Sequence, residues 1–98
     1  MARNQKLTRV VAGRAIAGVD RPAPGQVVVR FGDGSTMTVH TDGTAPAGPT
    51  TGAVRAVRQQ GTTLQLDLAP AGTLVLHTAE ATANVMVRDA RHALEYAD

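Results

Sequence analysis

The chain contains no cysteine and no tryptophan, and Phe31 and Tyr96 are its only aromatic residues. Without cysteine there is no disulfide framework, no thiolate zinc site and no thiol nucleophile. With two aromatic rings there is no stacking platform of the kind used to hold single-stranded nucleic acid. No stretch approaches the roughly 20 consecutive apolar residues of a membrane-crossing helix, and the N-terminal residues lack the apolar segment of a secretion signal. A cytoplasmic location is the expectation that follows, with no membrane partner and no cofactor.

The 98 residues are 43% hydrophobic, enough for a single β-domain over 1–98 with a real interior. That interior must be built from Val, Leu, Ala, Ile and Met. A domain of this size buries a modest share of its surface, which makes self-association a natural way to bury more. Nine of the ten basic residues are arginine, and alanine, glycine and valine abound; this reflects GC-rich coding more than chemistry.

The organising stretch is GQVVVRFGDGSTMTVHT, residues 25–41. Val27, Val29 and Phe31 alternate with Val28 and Arg30, a Gly-Asp-Gly break follows, and Met37 and Val39 then alternate with threonines. Period two around such a break predicts a β-hairpin. For the apolar sets to share a face, the loop must hold an odd number of residues. Gly32-Asp33-Gly34 satisfies this, pairing Phe31 with Ser35, Val29 with Met37 and Val27 with Val39, and placing Gly34 where positive φ is needed.

The pattern occurs twice. Ala53 to Arg58 matches Ala15 to Asp20, and with an offset of 37 the residues Val27, Val29, Phe31, Met37, Val39, His40 and Thr41 fall on Leu64, Leu66, Leu68, Leu74, Leu76, His77 and Thr78. An internal repeat, 14–41 and 53–78, is therefore expected, each copy a strand followed by a hairpin. Pro70-Ala71-Gly72 is read as the second turn, pairing Leu68 with Leu74 and Leu66 with Leu76. A C-terminal hairpin over 85–96 is read with Val87 opposite Leu94 and Val85 opposite Tyr96. The fold class is all-β: a small antiparallel barrel or sandwich made of the duplicated unit and that last hairpin.

The remaining segments are less patterned. Residues 1–6 read as a frayed end. Leu7, Val10 and Val11 suit a short helical turn closed by Gly13, or alternatively the start of the first strand. The strand from Arg14 is expected to stop at Asp20, with Pro22 and Pro24 preventing further pairing. Residues 41–52 read as a connector, and 78–84 as a connector or one helical turn. The phrases GRAIAGVD and VVVRFGDGSTMTVHT resemble a pattern widespread in small bacterial β-proteins, which carries no catalytic residue with it.

Charge is uneven. Residues 1–30 hold Arg3, Lys6, Arg9, Arg14, Arg21 and Arg30 against Asp20, a balance of +5; residues 31–98 hold four arginines against seven carboxylates, a balance of −3. The basic third defines one candidate site, a nucleic-acid-binding surface on those six residues. A second candidate is metal or small-ligand binding near His40 and His77, which occupy equivalent repeat positions; His92 falls in a turn. Asp33 is a turn residue and Asp67 alternates outward, Ser35 lies in no GxSxG elbow, and no helix follows Gly32-Asp33-Gly34 to form a phosphate loop. No catalytic constellation results, so the reading is not an enzyme. The leading expectation is a non-catalytic β-module acting by protein-protein interaction, including with copies of itself.

Overall fold

The structure, a computed structural model, describes residues 2–70, 72–82 and 84–98. It comprises β1 (Ala2–Arg3), α1 (Gln5–Val11), β2 (Ala15–Ala23), β3 (Gln26–Phe31), β4 (Thr36–His40), β5 (Gly52–Gln60), β6 (Thr63–Ala69), β7 (Thr73–His77), β8 (Val85–Arg88) and β9 (Leu94–Ala97). All strands are antiparallel and belong to one sheet in the order β7-β6-β5-β2-β3-β4-β8-β9, with β1 on β5. The protein is all-β, as expected. The strands form neither two separate sheets nor a closed barrel.

The first hairpin has the expected register, with Val27 opposite Val39 and Val29 opposite Met37. Phe31 N–H donates to the Ser35 carbonyl across 2.9 Å, and Gly34 has φ +90°. Asp33 holds the turn from inside, accepting from Ser35 N–H at 2.9 Å and from Ser35 Oγ at 2.5 Å. Those bonds stabilise the carboxylate and keep Asp33 below its ordinary pKa of 3.8, the Ser35 side chain contributing most and Arg14 adding a smaller attraction. A depressed folded pKa contributes stability above the unfolded pKa and loses it as pH falls through the folded one. Ser35→Ala should therefore move the Asp33 titration, followed by carboxyl NMR, back up toward 3.8 and begin acid weakening of the turn at higher pH.

The register of one half maps onto the other. In β2–β3 the pairs are Ile16–Phe31, Gly18–Arg30 and Val19–Val29; in β5–β6 they are Val54–Leu68, Ala56–Asp67 and Val57–Leu66. Each bulges by one residue at the same point, Ala17 in β2 and Arg55 in β5. The halves meet at Ala15 opposite Ala53 and at Thr41 opposite Thr78, each a pairing of residues that the sequence pattern matches. Even the ion pair recurs with its charges exchanged. Arg30 Nε lies 2.5 Å from Asp20, and Arg58 Nη2 lies 2.8 Å from Asp67.

Between its contacts with β2 and β1, β5 faces the helix segment. Val57 N–H donates to Thr8 Oγ1 at 2.9 Å, Asn4 N–H donates to the Val57 carbonyl at 2.8 Å, and Gly13 N–H donates to the Val54 carbonyl at 2.7 Å. The helix thus satisfies backbone groups that a neighbouring strand would otherwise hold. Asn4 caps it, its Oδ1 accepting from Leu7 N–H while its Nδ2 donates to Gln59 and to Tyr96 Oη. Leu7 and Val11 seal the interior, one turn apart on the buried face. All ten apolar residues at the matched hairpin positions are buried.

Several expectations are corrected. In the second hairpin Leu64 faces Leu76 and Leu66 faces Leu74, two residues from the expected register, with Leu68 N–H donating to the Gly72 carbonyl. A slip of two leaves every leucine on the same face, so burial permits either pairing. The expected turn residue Ala71 lies outside the described residues, as do Met1 and Ala83 of the expected N-terminal and 78–84 segments. The C-terminal hairpin also differs by two: Val87 faces Tyr96, and a bulge in β9 places Leu94 opposite Arg88. Asp89 causes this by accepting from both Arg91 N–H and Ala93 N–H, which widens the turn. β2 continues past Asp20 to Ala23, an extra residue at 21–22 letting Pro22 sit where no donor is required. Residues 2–3 pair with β5 and residues 5–6 begin α1 instead of fraying.

Candidate functional site

The six basic residues of the N-terminal third are spread over several elements. Arg3 lies on β1, Lys6 and Arg9 on α1, Arg21 on β2 and Arg30 on β3. Arg14 precedes β2, where it binds Glu95, approaches Asp33 at 3.8 Å and lies 6.0 Å from the Phe31 ring centre. Arg30 is held by Asp20, and Arg21 donates to the Gly43 carbonyl at 3.2 Å. Arg14 and Arg30 are thereby engaged with carboxylates, and Arg14 works structurally, tying the start of β2 to β9.

His40 and His77 flank the Thr41–Thr78 bridge. The His40 carbonyl accepts from Ala79 N–H at 3.0 Å and the His77 carbonyl from Asp42 N–H at 3.1 Å, a symmetric exchange. The Asp42 carboxyl is held below its ordinary pKa, first by hydrogen bonding from Thr44, with His77 contributing a smaller attraction. Thr41 and Thr78, between the histidines, are buried, whereas His40 is exposed. Among the described residues no group of three or more His, Asp or Glu side chains gathers in metal-binding geometry. His92 has φ +66° in the β8–β9 turn.

The surface that stands apart is the C-terminal hairpin. Among the described residues the large apolar side chains left exposed are Met86 and Leu94, 38% and 53% accessible, and both belong to it. Met86 lies between buried Val85 and Val87 and so points outward, in a row with Val28, Thr38 and Ala97. The bulge at Glu95 turns Leu94 to the same outer face, beside Arg88. Tyr96 packs against the core, its hydroxyl accepting from Asn4; burial is the main reason its pKa is raised.

The two margins of the sheet are treated differently. Along β7, Ala47 covers the outer edge through reciprocal hydrogen bonds with Val75 of 3.0 and 2.8 Å. β9 pairs with β8 and, among the described residues, with no other strand. No family model, curated protein or solved structure matches this chain. Its own geometry therefore carries the functional reading. The alternation pattern had placed Leu94 inside, and only the bulge created by the Asp89 turn reveals it as a surface residue.

Proposed function

We propose that this chain is a non-catalytic β-module that binds protein through its C-terminal hairpin, with a second copy of itself as the partner. The observation that carries the reading is that the two large apolar side chains exposed among the described residues lie on the same hairpin as β9, the edge strand that pairs with β8 alone and has α1 packed beside it. An unpaired edge offers backbone donors and acceptors to another strand. With β9 free of a second strand partner and the β7 margin bridged by Ala47, an isologous pair that closes on itself is favoured over a fibre, which would need two edges free to pair. A strand of four residues supplies few backbone bonds, so association belongs to the weak, concentration-dependent class.

Sedimentation equilibrium tests this. The apparent mass of the native chain should climb from 10.1 kDa toward the dimer as concentration rises. Met86→Lys with Leu94→Lys should hold it at the monomer while altering stability by no more than about 0.5 kcal/mol per exposed site. A native chain that remains monomeric at every concentration, or a double variant that dimerises equally well, would contradict the proposal.

A further inference from the structure

We infer that the concavity between β1, β5 and the C-terminal end of β6 is a binding site for a small phosphate-class oxyanion, held by Arg3, Arg55 and Arg58. The concavity has a volume of about 470 Å³, and those three arginines line it with Asp67, Pro70 and Gly72.

Three independent features converge there. First, Arg3 and Arg58 are direct cross-strand partners, and like charges placed opposite one another destabilise a sheet unless something lies between or beside them. Second, Arg55 is the extra residue of the β5 bulge. Bulges re-aim side chains, and this one adds a third guanidinium to the concavity. The matching bulge in β2 carries Ala17, so the fold does not require an arginine at this point. Third, Arg58 donates through Nη2 to Asp67, yet its Nε is buried and has no acceptor among the described residues.

Asp67 is the one acidic group lining the concavity, and its Oδ1 accepts from Arg58 Nη2 at 2.8 Å and from Thr73 Oγ1 at 3.4 Å. Three guanidiniums against one carboxylate leave an excess of two positive charges, matching a dianion. Guanidinium donors suit tetrahedral oxyanions because their N–H groups form charge-assisted, paired hydrogen bonds. The first half of the molecule does not reproduce the cluster. There the corresponding ion pair has its charges exchanged, and among the described residues no strand occupies the place of β1.

The test is a titration of the full chain at constant ionic strength with inorganic phosphate, pyrophosphate and a short single-stranded RNA, followed by NMR of backbone amides and arginine Nε–H groups. Saturable shifts should centre on Arg3, Arg55 and Arg58 for phosphate and pyrophosphate. Arg55→Ala and Arg3→Ala should each weaken binding about tenfold, whereas Arg91→Ala, an equal loss of charge elsewhere, should leave it unchanged. The same spectra report whether each variant is folded. Shifts spread evenly over all basic residues, a response to RNA alone, or Arg55→Ala binding as tightly as the native chain would overturn the assignment.

Discussion

Leu66→Ala should destabilise the protein by about 2–5 kcal/mol, measured as a fall in the urea midpoint at unchanged m-value. Leu66 is fully buried, faces Leu74 across β6–β7 and Val57 across β5–β6, and belongs to the continuous core with Leu7, Val29 and Met37. The only aromatic side chains at the core are Phe31, which is part of it, and Tyr96, which packs against it. A small domain has roughly 5–15 kcal/mol in total, so this one truncation should consume a large part of it. Leu94→Ala removes the same atoms from the surface and should change stability by less than about 0.5 kcal/mol. The contrast separates burial from hydrophobicity.

Gly52→Ala should produce a loss of comparable size by a different route. Gly52 has φ +104°, and a Cβ built there would stand 2.5 Å from the Ala69 carbonyl oxygen. That oxygen is backbone and cannot rotate away. Gly52 also faces Ile16 across the β2–β5 contact, so displacing it strains the seam between the halves. Backbone strain alone costs about 1–3 kcal/mol, and the steric conflict adds to it. Gly43 shares the conformation, with φ +96°, but has no atom within 4 Å of the corresponding position. Gly43→Ala should therefore show the strain without the collision, and equal losses at the two sites would count against the seam.

These residues also mark what could be read from sequence. The first hairpin was legible to the residue because alternation fixed which side chains face inward, the odd-loop condition fixed parity, and Gly32-Asp33-Gly34 offered one turn satisfying both. For the second hairpin parity was equally satisfied two residues away. Carrying the first register across by the offset of 37 gives Leu66 opposite Leu74, the pairing observed, so the repeat held information that the choice of turn residues concealed. The last hairpin was beyond either rule, because Asp89 bonds to two amides and inserts a bulge that reverses Leu94.

β1 was invisible for another reason. Its two residues, Ala2 and Arg3, have no apolar periodicity and join the sheet through their pairing with β5. The arginine concavity was hidden for the same cause. Counting charge along the chain assigned Arg55 and Arg58 to an acidic region, whereas the strand pairing sets Arg58 opposite Arg3, and the bulge at Arg55 is detectable only once the β5–β6 register is known. The six N-terminal cations were grouped by proximity in sequence. In the fold they lie on β1, α1, β2 and β3 and just before β2, and carboxylates from other strands pair with Arg14 and Arg30.

Amide hydrogen exchange of the native chain at low and high protein concentration tests most directly whether the β9 edge is where copies meet. Protection on β9 should rise with concentration, while β7, already covered by Ala47, stays constant. Exchange on β9 that is the same at both concentrations, in a sample whose mass shows association, would place the contact elsewhere and contradict the proposed role of the C-terminal hairpin.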